Sequence, residues 1–414
     1  MTIMKCNFCG KENIEGTKLM IRSIVDQDLL ICEDCVELCD SAIKSATLNQ
    51  VSKFNEIDNS IKPSEMKKYF DDYIIHQDNA KRKLAVAVYN HYKRTIYNNN
   101  IGKDEQRLKK SNILMAGPSG SGKTLFAEKI AKKLGVPFAF VDSTSLSQTG
   151  YVGDDPEIAL QKLIENADGN LKKAENGIIF LDEIDKIGRK GENVSITRDV
   201  SGEGVQQTLL KMLEGSEVRV PMTGNRKNPQ QECYTINTSN ILFICGGAFE
   251  GIEKIIEKRV SCRSKIGFSS GKKTEKKVNS YNDLILQITA KDLRKYGMMP
   301  EVLGRLPVIC PLEELDRNAL VRILVEPKDS IVKEYKILFK QDGIDLDFED
   351  DCLRAIADKA IELGTGARAL RSIMEDFMTD YMFEVPDMSI SKVTLTEKCV
   401  KKIGEPIYEY KQAS

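Results

Sequence analysis

The sequence predicts an α/β protein in which a parallel sheet flanked by helices is preceded by a four-cysteine module and followed by a mostly helical C-terminal domain. The apolar run Asn112–Ala116 leads into a glycine-rich loop and then into Leu125–Leu134, where apolar and charged residues alternate at helical spacing. A second apolar run, Ile178–Leu181, ends in two carboxylates, as expected of a buried parallel strand with a site at its C-terminal end. Beyond Pro311, apolar residues recur at helical spacing.

Residues 117–124 form the glycine-rich loop and read Gly-Pro-Ser-Gly-Ser-Gly-Lys-Thr, which matches G-x-x-x-x-G-K-T at every position. Glycines let backbone N–H groups turn inward around phosphate oxygens, and the N-terminus of the following helix adds positive potential. Lys123 would reach the β- and γ-phosphates, and the Thr124 hydroxyl would ligate Mg²⁺. A chance glycine-rich turn is the alternative, but strand, loop and helix occur in the order that the motif needs. The predicted nucleotide-binding residues of this loop are Gly117, Pro118, Ser119, Gly120, Ser121, Gly122, Lys123, Thr124 and Leu125.

Two carboxylates, Asp182 and Glu183, directly follow the second apolar run. Asp182 is predicted to hold Mg²⁺ from its second coordination shell, and Glu183 to orient and polarise an attacking water. The alternative is a strand end with solvated acids, which would be the better interpretation if the glycine loop were absent. With that loop present, the pair predicts hydrolysis of a nucleoside triphosphate rather than binding alone.

Composition limits the classes of protein to consider. The chain has 414 residues, enough for two or three domains, with 41% hydrophobic and 30% charged residues. A net charge of −1 gives no overall attraction to nucleic acid or to anionic membrane, so neither is expected as a partner. We find no apolar run of membrane-spanning length and no signal or transit pattern before Cys6. With an odd count of 11 cysteines, these features predict a cytoplasmic protein.

Only two histidines, His76 and His91, are present, and both fall in the single segment Tyr73–Arg94. A Ser-His-Asp or Cys-His hydrolase would have to use one of them, so the sequence argues against a histidine-based hydrolytic site. Both are expected to be packing or helix-surface residues.

Two C-x-x-C pairs near the N-terminus, Cys6/Cys9 and Cys32/Cys35, predict a four-thiolate Zn²⁺ site. Four thiolates leave no open coordination position, so the predicted role is structural, with the metal supplying folding energy. Cys39 is a fifth cysteine nearby and is expected to be a buried small side chain on a helix over Asp34–Lys44.

The same N-terminal segment carries the wrong charge for a nucleic-acid finger. Residues 1–50 contain five basic and eight acidic side chains, a balance of −3 before the thiolates are counted, whereas phosphate binding needs positive charge. Its apolar residues exceed what so small a module can bury. A protein-facing, self-associating module is therefore predicted over residues 1–48, followed by a polar linker at 49–62.

Six sequence features occur in order along nearly the whole chain: the four-cysteine module, Tyr73–Gln77, Ala85–Arg94, the glycine loop, Gly150–Gly153 and Leu181–Lys186. Together they resemble the ClpX family, the ATP-dependent unfoldase subunits of bacterial Clp proteases among the AAA+ ring ATPases. The resemblance implies an AAA+ large domain over residues 63–312 and a small lid domain over 313–414. Apolar periodicity predicts helices of that lid at Asp316–Phe339, Asp351–Leu363 and Ala367–Phe383, followed by a short strand near Lys392–Leu395. It also implies homo-hexamers, a ClpP peptidase partner, and unfolded or tagged protein substrates with adaptors.

The resemblance also assigns roles to loops. Tyr151 and Val152 match the family's first pore loop, where an aromatic and an aliphatic side chain grip polypeptide; elsewhere such residues are usually packing residues. Arg198 belongs to a segment like the second pore loop, and Arg226 and Lys227 to one like the third. Ile266, Gly267 and Phe268 resemble the loop that docks on ClpP, with a disordered insert as the alternative.

Two arginines and two isoleucines complete the implied ATPase site. Arg305 resembles the finger that reaches a neighbouring subunit's γ-phosphate, and Arg368 the sensor-2 arginine acting on ATP in its own subunit. The alternative for each is a surface ion-pair residue, as most arginines are. Ile74 and Ile75 match the residues that pack the adenine base. The sensor-1 position is not assigned.

Three features depart from the family's pattern, and one is the spacing between the two zinc-binding cysteine pairs, which is a few residues longer than in the family. His76 stands where glycine is usual, so a left-handed turn there would cost more in this chain. Asn228 replaces the histidine of the usual Arg-Lys-His in the third loop, so the positive charge is kept but the family's recognition of particular degradation tags is not carried over to this chain.

The sequence thus predicts an ATP-driven unfoldase and translocase without peptidase activity, using ATP, Mg²⁺ and Zn²⁺. A nucleic-acid motor with a zinc domain is one rival interpretation, disfavoured by the acidic N-terminal module. A chaperone with no peptidase partner is another, disfavoured by the sequence Ile266–Phe268.

Overall fold

The computed structural model describes residues 4–13, 19–22, 28–39, 61–101, 105–146, 155–188, 203–221, 233–263 and 280–411. The chain divides into two compact units, Met1–Asp58 and Asn59–Ser414, each of which is described by itself.

The N-terminal unit consists of two short antiparallel strand pairs and the start of a helix. Strand β1 pairs with β2 and strand β3 with β4, and residues 33–39 form helix α1, which begins directly after the last strand. This start agrees with the predicted helix from Asp34. The strands are β1 Met4–Lys5, β2 Glu12–Asn13, β3 Met20–Arg22 and β4 Leu30–Cys32.

A five-stranded parallel sheet forms the centre of the second unit. Its order is β11-β5-β10-β7-β6, and its strands are β5 Ile113–Ala116, β6 Phe138–Asp142, β7 Ile178–Asp182, β10 Leu242–Gly247 and β11 Val308–Pro311. Every residue of β5, β7 and β10 is buried. This is the near-continuous apolar pattern of strands covered on both faces, and it is why the two apolar runs in the sequence identified the central strands correctly.

Helices and one separate strand pair surround this sheet. The pair is β8 Glu217–Pro221 with β9 Cys233–Asn237, which run antiparallel. No helix among the described residues is long and apolar enough to cross a membrane. The helices are α2 Pro63–Tyr73, α3 Asp78–Asn100, α4 Lys123–Leu134, α5 Ile158–Glu165, α6 Leu171–Ala174, α7 Glu203–Glu214, α8 Ile252–Arg263, α9 Tyr281–Ile285, α10 Ala290–Tyr296 and α11 Pro300–Arg305.

The C-terminal part is helical with a small mixed sheet. Strand β12 pairs with β13 in parallel, and β13 with β14 antiparallel. The elements are α12 Arg317–Val325, α13 Ile331–Gln341, β12 Asp345–Phe348, α14 Asp350–Glu362, α15 Arg368–Glu384, β13 Ile390–Leu395, α16 Glu397–Val400 and β14 Ile407–Tyr410.

One predicted helix is two. The apolar periodicity of Asp316–Phe339 is interrupted by Pro327, which removes a backbone donor and restricts the residue before it. Helix α12 therefore ends at Val325, and α13 starts only at Ile331. The predicted strand near Lys392–Leu395 is present as part of β13, with two further strands that short apolar runs had not indicated.

In the second unit, two large buried clusters separate the parallel sheet from the C-terminal part. One lies around the parallel sheet and reaches Leu306 along the chain, and the other begins at Leu320 and includes the inner faces of α13, α14 and α15. Between them runs the connection from β11 to α12. We propose that the boundary between the large domain and the lid lies here, at residues 312–313.

Candidate functional site

The glycine-rich loop joins strand β5 to helix α4, as predicted. Gly120 and Gly122 have φ of 73° and 97°, in the left-handed region that favours glycine. Gly117 is required for a different reason: a Cβ there would lie 2.6 Å from the carbonyl oxygen of Leu312. Gly120 is similarly restricted, because a Cβ would lie 2.6 Å from the carbonyl oxygen of Thr365 in the C-terminal part. The loop is therefore packed tightly against the connection after β11 and against the loop before α15.

Lys123 is the first residue of α4, and its ammonium group folds back on the loop. Its Nζ donates to the carbonyl oxygens of Gly117 at 2.8 Å and Pro118 at 2.9 Å. Burial lowers the pKa of Lys123, while the carboxylate of Asp182 opposes that shift and the guanidinium of Arg368 adds to it. A buried ammonium held by neutral carbonyl groups is a strong point of attraction for an anion such as a phosphate.

Asp182 is the last residue of strand β7, and its carboxylate lies beside the Thr124 side chain at the start of α4. The Thr124 hydroxyl donates to Asp182 Oδ2 at 3.4 Å, and the Glu183 N–H donates to Asp182 Oδ1 at 2.9 Å. A hydroxyl and a carboxylate so placed are the hard oxygen donors that Mg²⁺ prefers, so these residues fit that ion. Glu183 has a φ of 55°, a left-handed conformation that costs a non-glycine residue about 1–3 kcal/mol and is common at functional sites.

A cavity of about 500 Å³ opens over the loop, a size typical of small-molecule sites. Helix α4, the ends of β7 and β10, and the start of α15 all contribute to its wall. Arg368 is therefore brought to the same cavity as Lys123 and Glu183, although 245 residues separate Lys123 from Arg368 in the chain. Its lining residues are Ser119, Gly120, Gly122, Lys123, Thr124, Leu125, Phe140, Asp182, Glu183, Asp185, Lys186, Ala248, Glu250, Ala367 and Arg368.

A second cavity of about 510 Å³ adjoins the other side of the loop. The predicted binding residues Pro118 and Ser121 line it, together with Leu315 from the β11–α12 connection and Ile361 from α14. The predicted base-packing residues Ile74 and Ile75 are buried in the turn between α2 and α3, and the residues that line these two cavities are others. Their contact with a base remains a prediction.

Arg305 lies at the end of α11 and outside the residues that line either cavity. Its guanidinium donates to Glu214 Oε1 at 2.8 and 3.1 Å, and both side chains are about half exposed. An arginine that lines neither cavity of its own chain fits the predicted action on a neighbouring subunit, which stays a prediction.

Asp185 also belongs to this site, although the sequence motif that contains it, Leu181–Lys186, predicted no role for it. Its buried carboxylate accepts hydrogen bonds from the N–H groups of Ala248 at 3.1 Å and Phe249 at 3.3 Å, at the turn after β10. A Cβ on Gly247 would approach Asp185 Oδ1 to 2.8 Å. The end of β10 therefore presents glycines and backbone, and this explains why no polar sensor-1 side chain was evident there.

The departure at His76 has the predicted backbone consequence. His76 and Gln77 have φ of 60° and 64°, two successive left-handed residues between α2 and α3. The His76 Nε2 lies 3.4 Å from Glu313 Oε2, so the imidazole contacts the β11–α12 connection.

The four predicted metal-ligating cysteines converge in the N-terminal unit. The sulfurs of Cys6, Cys9, Cys32 and Cys35 all lie within 4.8 Å of one another. A tetrahedral ion with Zn–S bonds of about 2.3 Å would separate its sulfurs by about 3.8 Å, and Cys9 Sγ lies 3.7 Å from Cys32 Sγ. The spacing fits Zn²⁺ and is far too long for a disulfide.

Backbone N–H groups further adapt this cluster to a cation. The Cys32 N–H donates to Cys6 Sγ at 3.3 Å, and donation from the backbone of Cys9 is the main reason that the pKa of Cys6 lies below its ordinary value, whereas burial raises the pKa of the Cys35 thiol. A thiol that ionises readily is suited to metal ligation. Cys39, predicted to be buried on the helix, is only partly buried at the end of the described part of α1.

Eight predicted loop residues lie outside the described residues. They are Tyr151, Val152, Arg198, Arg226, Lys227, Ile266, Gly267 and Phe268.

Comparison with known proteins decides the family. A family model described as "AAA domain (Cdc48 subfamily)" matches residues 108–309, and one described as "C-terminal, D2-small domain, of ClpB protein" matches residues 315–390. A protein of Treponema denticola named "ATP-dependent Clp protease ATP-binding subunit ClpX" is 50% identical over 400 residues, which cover 96% of this chain and 94% of that protein. The chain belongs to the ClpX family.

Other ClpX proteins match to a similar extent. Those of Bacteroides thetaiotaomicron and Borrelia duttonii are 49% and 48% identical, each over 95% of this chain. Membership of the ClpX family makes the chain an AAA+ ATPase without peptidase activity. Membership also makes it an ATP-binding protein, and the cysteine cluster fits a zinc-binding module.

Proposed function

We propose that the chain is a protein unfoldase and translocase that threads substrates into a ClpP peptidase. The observation that carries the proposal is the position of Arg368, which lines one cavity with Lys123 and Glu183 although it belongs to the C-terminal helical part. ATP in that cavity would touch both parts of the unit. Binding and release of its γ-phosphate would then bias the angle between them, which is how a hinged ATPase produces movement.

The residues on either side of the phosphates have distinct tasks in this proposal. Lys123 leaves the carbonyls of Gly117 and Pro118 to bind the β- and γ-phosphate oxygens, and the N–H groups of the loop do the same from the other side. Thr124 and Asp182 would hold Mg²⁺, which supplies charge neutralisation of the phosphates when bound. Glu183, held beside Asp182 in its left-handed turn, positions the attacking water and accepts its proton.

The two arginines would complete the site from different directions. Arg368 stabilises the phosphates from the same chain, which its place in the cavity supports. Arg305 is turned toward Glu214 and would instead complete a neighbour's site. Such a division requires an oligomer, and the family resemblance supports a hexameric ring with six composite sites.

Movement of the two parts would be transmitted to substrate by the loops. Tyr151 and Val152 offer an aromatic and an aliphatic contact that grips polypeptide without reading its sequence. Arg198, Arg226 and Lys227 would place positive charge along the entry path. Ile266, Gly267 and Phe268 would insert two apolar side chains into a cleft of the peptidase. The four-cysteine module would serve self-association and substrate or adaptor capture.

The hydrolytic role is tested with Glu183→Gln. This variant should bind ATP with near-normal affinity while ATP turnover and unfolding of a folded, tagged reporter both fall by about a hundredfold or more. The matched control is Glu165→Gln, which makes the same chemical change on the exposed face of α5 and should behave as the unmodified chain. Normal turnover in Glu183→Gln would remove Glu183 from its assigned role.

The peptidase partnership is tested separately. Phe268→Ala should abolish co-elution with ClpP and reporter degradation, while ATP turnover and unfolding without ClpP remain. An ATP turnover that rises with DNA but not with an unfolded protein would instead favour a nucleic-acid motor.

A further inference from the structure

The connection from the parallel sheet to the C-terminal helical part is short. Strand β11 ends at Pro311, and Leu312 still donates to the Ala116 carbonyl at 2.8 Å, which extends the strand pairing by one residue. Helix α12 starts at Arg317, with the Asp316 carboxylate accepting from the Ala319 N–H at 2.7 Å as its N-cap. Any change in angle between the two parts must therefore occur within residues 313–316.

Two side-chain amides hold the first half of this connection. The Gln77 amide donates to the Glu313 carbonyl at 2.8 Å and accepts from the Glu313 N–H at 2.9 Å. The Asn282 amide donates to the Glu314 carbonyl at 3.2 Å and accepts from the Glu314 N–H at 2.7 Å. Successive residues thus have both backbone groups bound, each by one carboxamide from a different part of the large unit. We call these four hydrogen bonds the hinge clamp.

The backbone that presents Gln77 is strained. Gln77 is 1% exposed and adopts a φ of 64° directly after His76 at 60°. Two successive non-glycine residues in the left-handed region persist only where their surroundings fix them, and such outliers concentrate at functional elements. His76 adds a side-chain contact to the same place, with its Nε2 3.4 Å from Glu313 Oε2.

The clamp is also part of the wall around the glycine-rich loop. Asn282 and Glu314 line the second cavity together with Ser119 and Gly120 of the loop. A ligand that fills this space would therefore contact or displace the same groups that fix the connection. Gly120 also packs closely against the Thr365 carbonyl, so the loop contacts the C-terminal part directly.

We propose that Gln77 and Asn282 are positioning residues that fix the connection through Glu314 and confine the lid's pivot to Leu315 and Asp316. Through these two amides, a nucleotide bound beside Ser119 and Gly120 changes the angle of the lid. This inference rests on the proposed function in one respect, that lid movement accompanies ATP turnover.

The test measures hydrogen exchange of individual amides in the full chain, with and without a slowly hydrolysed ATP analogue and Mg²⁺. The variants are Gln77→Met and Asn282→Leu, which keep bulk and remove the hydrogen bonds. A matched control exists because the Asn98 amide makes the same pair of bonds, both at 2.9 Å, with the backbone of Leu108 away from the connection. Asn98→Leu therefore removes an equivalent clamp that has no link to the lid.

We expect Asn282→Leu to speed exchange of the Glu314 amide, and Gln77→Met that of the Glu313 amide, by about tenfold or more. In both, the analogue should still bind within about threefold of normal affinity, but its protection of α12 should shrink and kcat should fall roughly five- to tenfold. Asn98→Leu should speed exchange at Leu108 alone and leave kcat unchanged. Asn282→Asp keeps the acceptor for the Glu314 N–H and should lie between Asn282→Leu and the unmodified chain.

The inference is overturned if kcat and the analogue's protection of α12 stay normal while the Glu313 or Glu314 amide exchanges faster. If Gln77→Met fails to fold because its site is buried, Asn282→Leu decides alone, since Asn282 is only partly buried. A failure of the proposed function is recognised separately, because the unmodified chain would then hydrolyse no ATP or unfold no reporter.

Discussion

Arg305 and Glu214 form an ion pair in which two guanidinium nitrogens of Arg305 donate to one carboxylate oxygen of Glu214, at 2.8 and 3.1 Å. Both side chains are roughly half exposed, at 49% and 42%, so the pair contributes less than about 1 kcal/mol to stability. The backbone behind it is fixed, because the buried Asn112 amide donates to the carbonyls of Arg305 and Leu213. The guanidinium can therefore leave Glu214 for a neighbouring subunit while its helix stays in place.

This arrangement predicts complementation between two inactive variants. Arg305→Ala should lower ATP turnover by about a thousandfold or more, the usual range for an arginine finger, while leaving nucleotide binding intact. Mixing it with Glu183→Gln should restore part of the turnover, because an Arg305→Ala subunit has an intact Glu183 and can use the finger of its Glu183→Gln neighbour. The measurement is phosphate release from mixed assemblies across a range of ratios.

Two results would contradict the prediction. Turnover that stays flat at every mixing ratio would mean that Arg305 acts within its own chain. Glu214→Gln is the control: it weakens the ion pair without touching the finger, and we expect its turnover to stay within about twofold of normal.

The sequence predicted the parts of this site that are local in the chain. The loop before Lys123, strand β7 with Asp182 and the four cysteines each have a short pattern with a physical cause. The partners of Asp185, Gln77 and Asn282 have none, because Gln77 and Glu313 are 236 residues apart and meet only after the sheet and lid have formed. A carboxamide in a turn looks the same in sequence whether or not it clamps a distant backbone. The break at Pro327 is different, because the proline that causes it is visible in the sequence. The apolar periodicity continues across it, and for that reason the segment was predicted as one helix.

Gln206 joins the turn after β7, which carries Asp185, to helix α11, which carries Arg305, and should be needed for stability. Its buried amide donates to the Ile187 carbonyl at 2.8 Å and accepts from the Met299 N–H at 3.0 Å, directly before α11. Gln206→Leu leaves the buried Ile187 carbonyl and the partly buried Met299 N–H without these partners, at up to about 1–3 kcal/mol each. We expect a loss of about 2–5 kcal/mol in the free energy of unfolding, measured by urea titration followed by circular dichroism.

The control for Gln206 is Gln161→Leu. The Gln161 amide donates to the exposed Glu165 side chain within α5, so its loss should cost no more than about 0.5 kcal/mol. Equal stability of the Gln206 and Gln161 variants would show that the bridge between the turn and α11 contributes little.

His91 should make stability depend on pH. Burial lowers the pKa of His91 to about 3, assisted by the positive charges of Arg94 and Lys110, while its Nε2 lies 2.9 Å from the Asn240 carbonyl. The folded-state pKa thus lies below the unfolded value of about 6.5, so the unfolded chain binds the proton first. The contribution of neutral His91 to the free energy of unfolding is therefore fully present above about pH 6.5. It falls as the pH drops below that value, by about 2 kcal/mol at pH 5.

The measurement is the free energy of unfolding of the unmodified chain and of His91→Gln at pH 7 and pH 5. Glutamine can donate to the same carbonyl but does not titrate, so the variant should lose about 2 kcal/mol less over this interval. Identical pH dependence in the two proteins would mean that the His91 environment accepts a proton readily.

Zinc removal should unfold the N-terminal unit and spare the other. The cluster there buries little besides Cys6, Cys32 and Cys35 with the partly buried Met20 and Ile31, too small a core to fold without the metal. A high-affinity chelator should release one Zn²⁺ per chain and increase proteolysis before residue 58, the end of that compact unit. ATP turnover should persist, because the sheet and its cavity belong to the second unit and have their own core.

Cys35→Ser should lose the metal, whereas Cys39→Ser, next to the cluster on α1, should retain it. Loss of zinc from Cys39→Ser, or retention by Cys35→Ser, would show that the four ligands have been assigned wrongly.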